Sequence, residues 1–282
     1  MTLRLADELP GARSGRALRR APEIPRARSG RAGGATRART VANAASGARR
    51  ELERLARPAG GFDASRYFRG ADDLAFYNVG TTAMRSLAKT IHAAHRDEWS
   101  IDDAMAFAER LIVDPHLEAK SIGIEVVARY RRHFTPRLLA IWKRWLSRNH
   151  SANWATTDSI CAFLIGPLLI RYPALAARMR VWTHDRNMWV RRAAAVGLIP
   201  SVRLGLASDL SYEIASRLHR DDEDLIQKAV GWLLREIGKK DPARLERYLR
   251  ANGPSIPRTT VRYAIERFPA RTRLALLHAT KG

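Results

Sequence analysis

Cysteine is nearly missing: Cys161 is the one in the chain. No internal disulfide can form, and a reducing compartment such as the cytoplasm suits the protein. No stretch approaches the ~20 uninterrupted apolar residues of a membrane span, and no basic amphipathic anchor for a membrane surface is evident. Strand-like alternation is absent. So are a phosphate-binding P-loop, a dinucleotide-binding glycine fingerprint and a Gly-x-Ser-x-Gly elbow. His92 and His95 lie three apart, but no cysteine or further histidine completes a zinc-like set. Neither a metal nor an organic cofactor is expected.

Acids are also scarce beside bases. Against 28 Asp and Glu stand 50 Lys and Arg, for a formal net charge of +22 over 282 residues. An excess of this size attracts polyanions, of which nucleic acid is the commonest. Residues 1–40 hold ten arginines and three acids, which places +7 there and +15 on the rest. The basic character therefore belongs to the folded body as well. The tail is rich in Gly, Pro, Ser and Ala and buries too little apolar surface to offset the entropy of ordering, so it is expected to be disordered. An Arg-rich, acid-poor organellar transit peptide has the same composition, and that reading stays open.

From Val41 to the end, helix follows helix, and one domain over 41–282 is expected. Helices are predicted over 41–57, 73–95, 101–113, 117–132, 135–148, 156–171, 174–184, 187–199, 207–219, 223–238, 241–251, 257–268 and 271–279. Apolar residues recur three and four apart, as in Ile122, Val126 and Tyr130. Pro115, Pro136, Pro173, Pro200, Pro242, Pro254 and Pro269 punctuate them. A period of 36 residues links Lys120, Thr156, Arg192 and Lys228, and likewise Ile124, Ile160, Val196 and Trp232. Paired-helix repeats have periods of ~34–47 residues and stack so that equivalent positions line one face. The polar column Thr156, Arg192, Lys228 is therefore expected to project onto a shared concave wall.

Three stretches carry the candidate chemistry. In Asn153-Trp154-Ala155-Thr156-Thr157-Asp158, the indole and the acid are four apart and share a helix face. By residue type alone, Asp158 reads first as a helix cap. The other stretches are Asn187-Met188-Trp189-Val190-Arg191-Arg192 and Lys228-Ala229-Val230-Gly231-Trp232-Leu233-Leu234-Arg235-Glu236. Read singly, Trp189 and Trp232 are core residues and Arg191 and Arg192 solvated charges. Gly231 would let a neighbouring helix approach. Cys161, in an apolar run, is expected to be buried and inert.

Together, in this order and at these separations, the three stretches resemble the AlkD-like DNA alkylation repair glycosylases. The resemblance runs from about Phe68 to Phe268. It implies an all-α fold of HEAT-like repeats forming a curved solenoid with a basic concave face. It implies an enzyme that hydrolyses the N-glycosidic bond of N3- and N7-alkylated purines in duplex DNA without flipping the base. No obligate protein partner is evident in the sequence, and a monomer is expected. The resemblance also gives the residues roles: Asp158 as the key carboxylate, Trp154 and Trp232 as sugar-facing aromatics, and Arg192 as a phosphate clamp. Arg191, Lys228 and Arg235 become lesser DNA contacts. Two positions depart from the family pattern. Asn153 stands where the family often has a second Trp, and Ala155 stands where a second acid is common. A non-catalytic relative that binds damaged or branched DNA is the alternative.

Overall fold

The computed structural model describes residues 31–58, 68, 74–151 and 153–281. Most of the tail, residues 1–30, lies outside them. The first helix, α1 (Arg31–Leu55), begins ten residues before the expected Val41. Its apolar positions Val41, Ala45, Ala48 and Leu52 are all buried. Their spacing of three and four makes one stripe, so packing on the body accounts for that part of the helix.

The helix predicted over 73–95 is shorter than expected. Residues 74–80 are non-helical, with Asn78 in the left-handed region at φ 57°, and α2 spans Thr81–His95. The cause is the buried Glu118 carboxylate, which accepts hydrogen bonds from the backbone N–H of Tyr77 and Val79 at 3.1 and 3.2 Å. A parallel bridge between Ala75 and His116 completes the tie. Those amides are satisfied by an acid 39 to 41 residues away instead of by helical carbonyls.

The helices that follow are α3 (Ile101–Ile112), α4 (Leu117–Arg129), α5 (Leu138–Ser147), α6 (Trp154–Ile160), α7 (Gly166–Arg171), α8 (Met179–Trp182), α9 (Met188–Val196) and α10 (Ile199–Arg203). After them come α11 (Ser208–Arg217), α12 (Asp224–Gly238), α13 (Pro242–Asn252), α14 (Arg258–Ala264) and α15 (Ala270–Ala279). Local chemistry starts several of them. Ser100 and Asp103 form a reciprocal capping box on α3. Asp241 caps α13, where Pro242 takes the first-turn position that needs no N–H.

Five helices form a continuous inner row: α4 packs on α6, α6 on α9, α9 on α12 and α12 on α14. Their starts at 117, 154, 188, 224 and 258 confirm a repeat close to 36 residues. Side-chain bonds recur at the same interval. Arg180 to Glu213 and Arg203 to Glu236 each span 33 residues, and Arg244 to Asp209 spans 35. These bonds tie together helices about one repeat apart, at different places along the units, as contacts between stacked helical repeats do. The fold is all-α. A core centred on Phe107, Phe134, Trp142 and Trp145, all fully buried, fills the space beside the row.

The expected polar column needs correction. Lys120, Thr156 and Arg192 are buried at 4, 1 and 5% exposure, so they do not project onto an open wall. The Lys120 ammonium donates to the carbonyls of Ile112 and His150 at 2.7 and 2.8 Å, and burial pushes its pKa down to about 8. The sequence offset of 36 is an average, whereas the helix starts step unevenly, so the register drifts between repeats. Counted from the helix starts, the equivalent residues are Asp158, Arg192, Lys228 and Arg262, each four places along its own inner helix.

Candidate functional site

Asn153 opens α6. Its Oδ1 accepts from the backbone N–H of Thr156 at 2.8 Å, and the Thr157 hydroxyl donates back to the Asn153 carbonyl at 2.9 Å. The asparagine that breaks the doubled-tryptophan pattern is therefore the helix cap. Capping by Asp158, the first reading from residue type, does not occur. That side chain stands one turn further in, on the face it shares with Trp154.

Below Asp158 the helix is distorted. Residues Cys161–Ile165 form a π turn, in which the Gly166 N–H donates to the Cys161 carbonyl. Pro167 explains it: a proline inside a helix has no N–H and its ring collides with the carbonyl four residues earlier, and the wider turn moves that carbonyl away. Gly166 is needed at the same spot, because a Cβ there would lie 2.3 Å from the Pro200 ring.

Asp158 meets Arg192 of the next inner helix in a two-pronged pair. Arg192 Nε donates to Oδ1 at 2.9 Å and Nη2 to Oδ2 at 2.8 Å. The third nitrogen, Nη1, donates to the Leu225 carbonyl on α12. One guanidinium therefore ties three consecutive inner helices. Its side chain is 6% exposed and that of Asp158 17%. Burial works to lower the Arg192 pKa, but the charge and hydrogen bonds of Asp158 more than offset it, and the group is held above its usual value. The Cys161 thiol is pushed well up, mainly by its complete burial and further by the Asp158 charge.

The other sequence-predicted residues are placed as follows. Trp154 is half-buried, one turn from Asp158, and stacks on Phe68 with ring centroids 5.5 Å apart. Phe68 in turn lies 5.4 Å from Phe76. This aromatic support was missed in the sequence, since nothing local links positions 68 and 154. Trp232 is half-buried on α12 and packs on the core. Trp189 does the same on α9, as residue type suggested. Asn187 caps α9 by accepting from the Trp189 N–H at 2.8 Å, so it belongs to the scaffold.

The basic residues are mostly paired. Arg191 Nε donates to Asp221 at 2.7 Å, and its Nη1 to the carbonyls of Asp185 and Arg186. Arg235 pairs with Glu266. Lys228 meets Asp224 one turn away at 2.5 Å, with both side chains substantially exposed. That is a weak surface pair, and Lys228 keeps its freedom to engage an incoming anion.

The fold thus stacks helical repeats and locks an acid and an arginine together at equivalent places on successive repeats, one turn from an indole. A family model described as DNA alkylation repair enzyme matches residues 48–268. The chain belongs to the DNA alkylation repair enzyme family. The match contains α6, α9 and α12 whole, and hence Asp158, Arg192 and Trp232. A solved structure from Enterococcus faecalis, described as a predicted DNA alkylation repair enzyme, has a TM-score of 0.64 with this chain at 17% identity. It covers 73% of this chain and 93% of that one, a likeness that shows the fold alone. No curated protein matches the chain.

Proposed function

We propose that the protein is a DNA N-glycosylase that releases N3- and N7-alkylated purines from duplex DNA. The observation that carries this reading is the Asp158–Arg192 pair. Asn153 relieves Asp158 of capping, so the acid has no local structural task. It is nevertheless fixed in position by a buried guanidinium, next to an indole, with part of its surface still open.

The chemistry suits such a group. An alkylated purine carries positive charge. When its bond to C1′ breaks, the electron pair stays on the purine, which leaves neutral, and positive charge builds on the deoxyribose. A preorganised carboxylate favours that charge. Water then adds at C1′, with Asp158 positioned to take its proton. The electron-rich faces of Trp154 and Trp232 favour the same cation. Contact through sugar and backbone needs no pocket for a flipped base.

Arg192 has a changed role in this proposal. All three of its nitrogens already have acceptors within the protein, so it acts as a positioning residue for Asp158 and not as a phosphate clamp. Among the basic residues marked by the sequence pattern, Lys228 is the best placed to meet phosphate. Arg191 and Arg235 are committed to Asp221 and Glu266.

A second reading has one observation in its favour. A carboxylate satisfied by two charged hydrogen bonds could be purely structural, in a protein that only binds distorted DNA. Incubating purified protein with methylated duplex separates the two. Free 7-methylguanine from the wild type, and its loss in Asp158→Asn with duplex binding kept, supports the enzyme. Undiminished release by Asp158→Asn removes the residue from the mechanism.

A further inference from the structure

The last inner helix carries an aromatic residue that no sequence motif marks. Tyr263 stands five residues after the start of α14, and it faces Gly231, seven residues after the start of α12. One repeat earlier the same two places are Ala229 and Ala195. Another repeat back they are Ala193 and Cys161. All four of those side chains are buried. In the earlier repeats two small residues share the seam, whereas in the last one glycine and tyrosine divide it unequally.

The glycine is required for this. A Cβ on Gly231 would stand 2.4 Å from the Tyr263 Cβ and 2.7 Å from the Thr260 carbonyl oxygen. The Thr260 hydroxyl fixes the approach by donating to the Gln227 carbonyl at 3.0 Å. Glycine within a helix is unfavourable, and the space it makes is not used to bury the ring. Tyr263 remains 37% exposed, and it is the aromatic among the exposed large apolar side chains of the described residues. The fold thus fixes the Cβ of Tyr263 against α12 and leaves its ring at the surface.

Two features say what that surface meets. Tyr263 packs against Gly231 of α12, the helix whose first turn gives the Leu225 carbonyl to Arg192 Nη1, so a single helix separates the helix of the ring from the helix of the guanidinium that holds Asp158. Its neighbour Arg262 is exposed and occupies the place equivalent to Asp158, Arg192 and Lys228. An exposed aromatic face next to an exposed guanidinium fits a sugar–phosphate chain, with apolar sugar on the ring and phosphate on the cation.

We propose that Tyr263 is a DNA-contacting residue whose ring face meets a deoxyribose of the duplex beside the Asp158–Arg192 pair. This deepens the proposed glycosylase function and rests on its claim that duplex DNA lies along the inner row. The contact belongs to the ring and not to the hydroxyl, and it strengthens when the sugar carries positive charge.

The test uses the full chain and two duplexes that differ in one sugar. One contains a neutral tetrahydrofuran abasic site, and the other a pyrrolidine ring that is cationic at neutral pH. Binding is followed by fluorescence anisotropy for the wild type, Tyr263→Phe and Tyr263→Leu, with thermal midpoints matched to exclude misfolding. Tyr263→Leu is expected to lose about tenfold in affinity for the cationic duplex and less for the neutral one. Tyr263→Phe is expected to stay within about twofold of the wild type. The proposal is overturned if Tyr263→Leu binds both duplexes as the wild type does, or if Tyr263→Phe loses as much as Tyr263→Leu. A wild type that shows the expected pattern and yet releases no methylpurine would end the glycosylase reading alone and leave the Tyr263 contact standing.

Discussion

Replacing Arg192 by Met separates a positioning arginine from a phosphate-gripping one. The side chain is 6% exposed and gives two hydrogen bonds to a carboxylate that is itself 17% exposed. Its third nitrogen satisfies the Leu225 carbonyl. Removing one partner of a buried pair leaves the other charge uncompensated, at a cost of about 3–5 kcal/mol. At ~2–4 °C per kcal/mol for a chain of this length, the thermal midpoint should fall by on the order of 10 °C. Asp158→Asn should also destabilise, because it strands a buried guanidinium. The double variant Asp158→Asn/Arg192→Met removes both charges and should cost less than the two singles together, by about 2 kcal/mol. The decisive assay is duplex binding against salt, below the variant's melting range. Each phosphate that the protein neutralises adds about 0.9 to the steepness of log K against log salt. A positioning arginine leaves that slope unchanged while methylpurine release collapses. A variant that keeps its midpoint within about 2 °C and whose slope becomes shallower by one phosphate's share would refute the reasoning.

Three further predictions concern the scaffold. Burial pushes His219 down to about 4 from its ordinary ~6.5, with its Nε2 3.0 Å from the Tyr248 hydroxyl. The folded state favours the neutral ring, so stability is lost as pH falls from ~6.5 towards 4, by roughly 3 kcal/mol in all. Denaturant titrations of His219→Gln should lack that loss, and parallel pH profiles for variant and wild type would disprove it. Gly231→Ala should destabilise by about 1–3 kcal/mol through overpacking against α14. Tyr263→Ala should not rescue it, since the colliding atoms are a Cβ and a backbone carbonyl; a rescued midpoint would contradict the geometry. Asn153→Ala should cost about 1 kcal/mol or more, because it removes both the cap that Oδ1 gives α6 and the bonds that the buried Nδ2 donates to the Ser151 carbonyl and the Thr156 hydroxyl. A midpoint within about 1 °C of the wild type would show that the cap is not made.

The all-α class and the spacing of the repeat are legible in the amino-acid order, because both are written in short-range terms. Apolar residues three and four apart define a helix face, prolines end it, and a unit that cannot bury its own face must recur. The Trp154, Asp158, Arg192 and Trp232 set was marked only by the family resemblance of three short stretches, since read singly these residues pass for a cap, a solvated charge and core aromatics. What those residues touch was settled by packing. Whether Arg192 points to solvent or to Asp158 depends on how two helices 34 residues apart align. A step of 34 instead of 36 at that junction moves Asp158, and not Thr156, opposite the guanidinium. The non-helical stretch before Thr81 depends likewise on Glu118, and the seat of Tyr263 on a glycine one helix away. Such distant partners leave no mark on the periodicity of either segment. A pairing between helices is set by axial shifts of a few ångströms, which are fixed once the whole stack has formed.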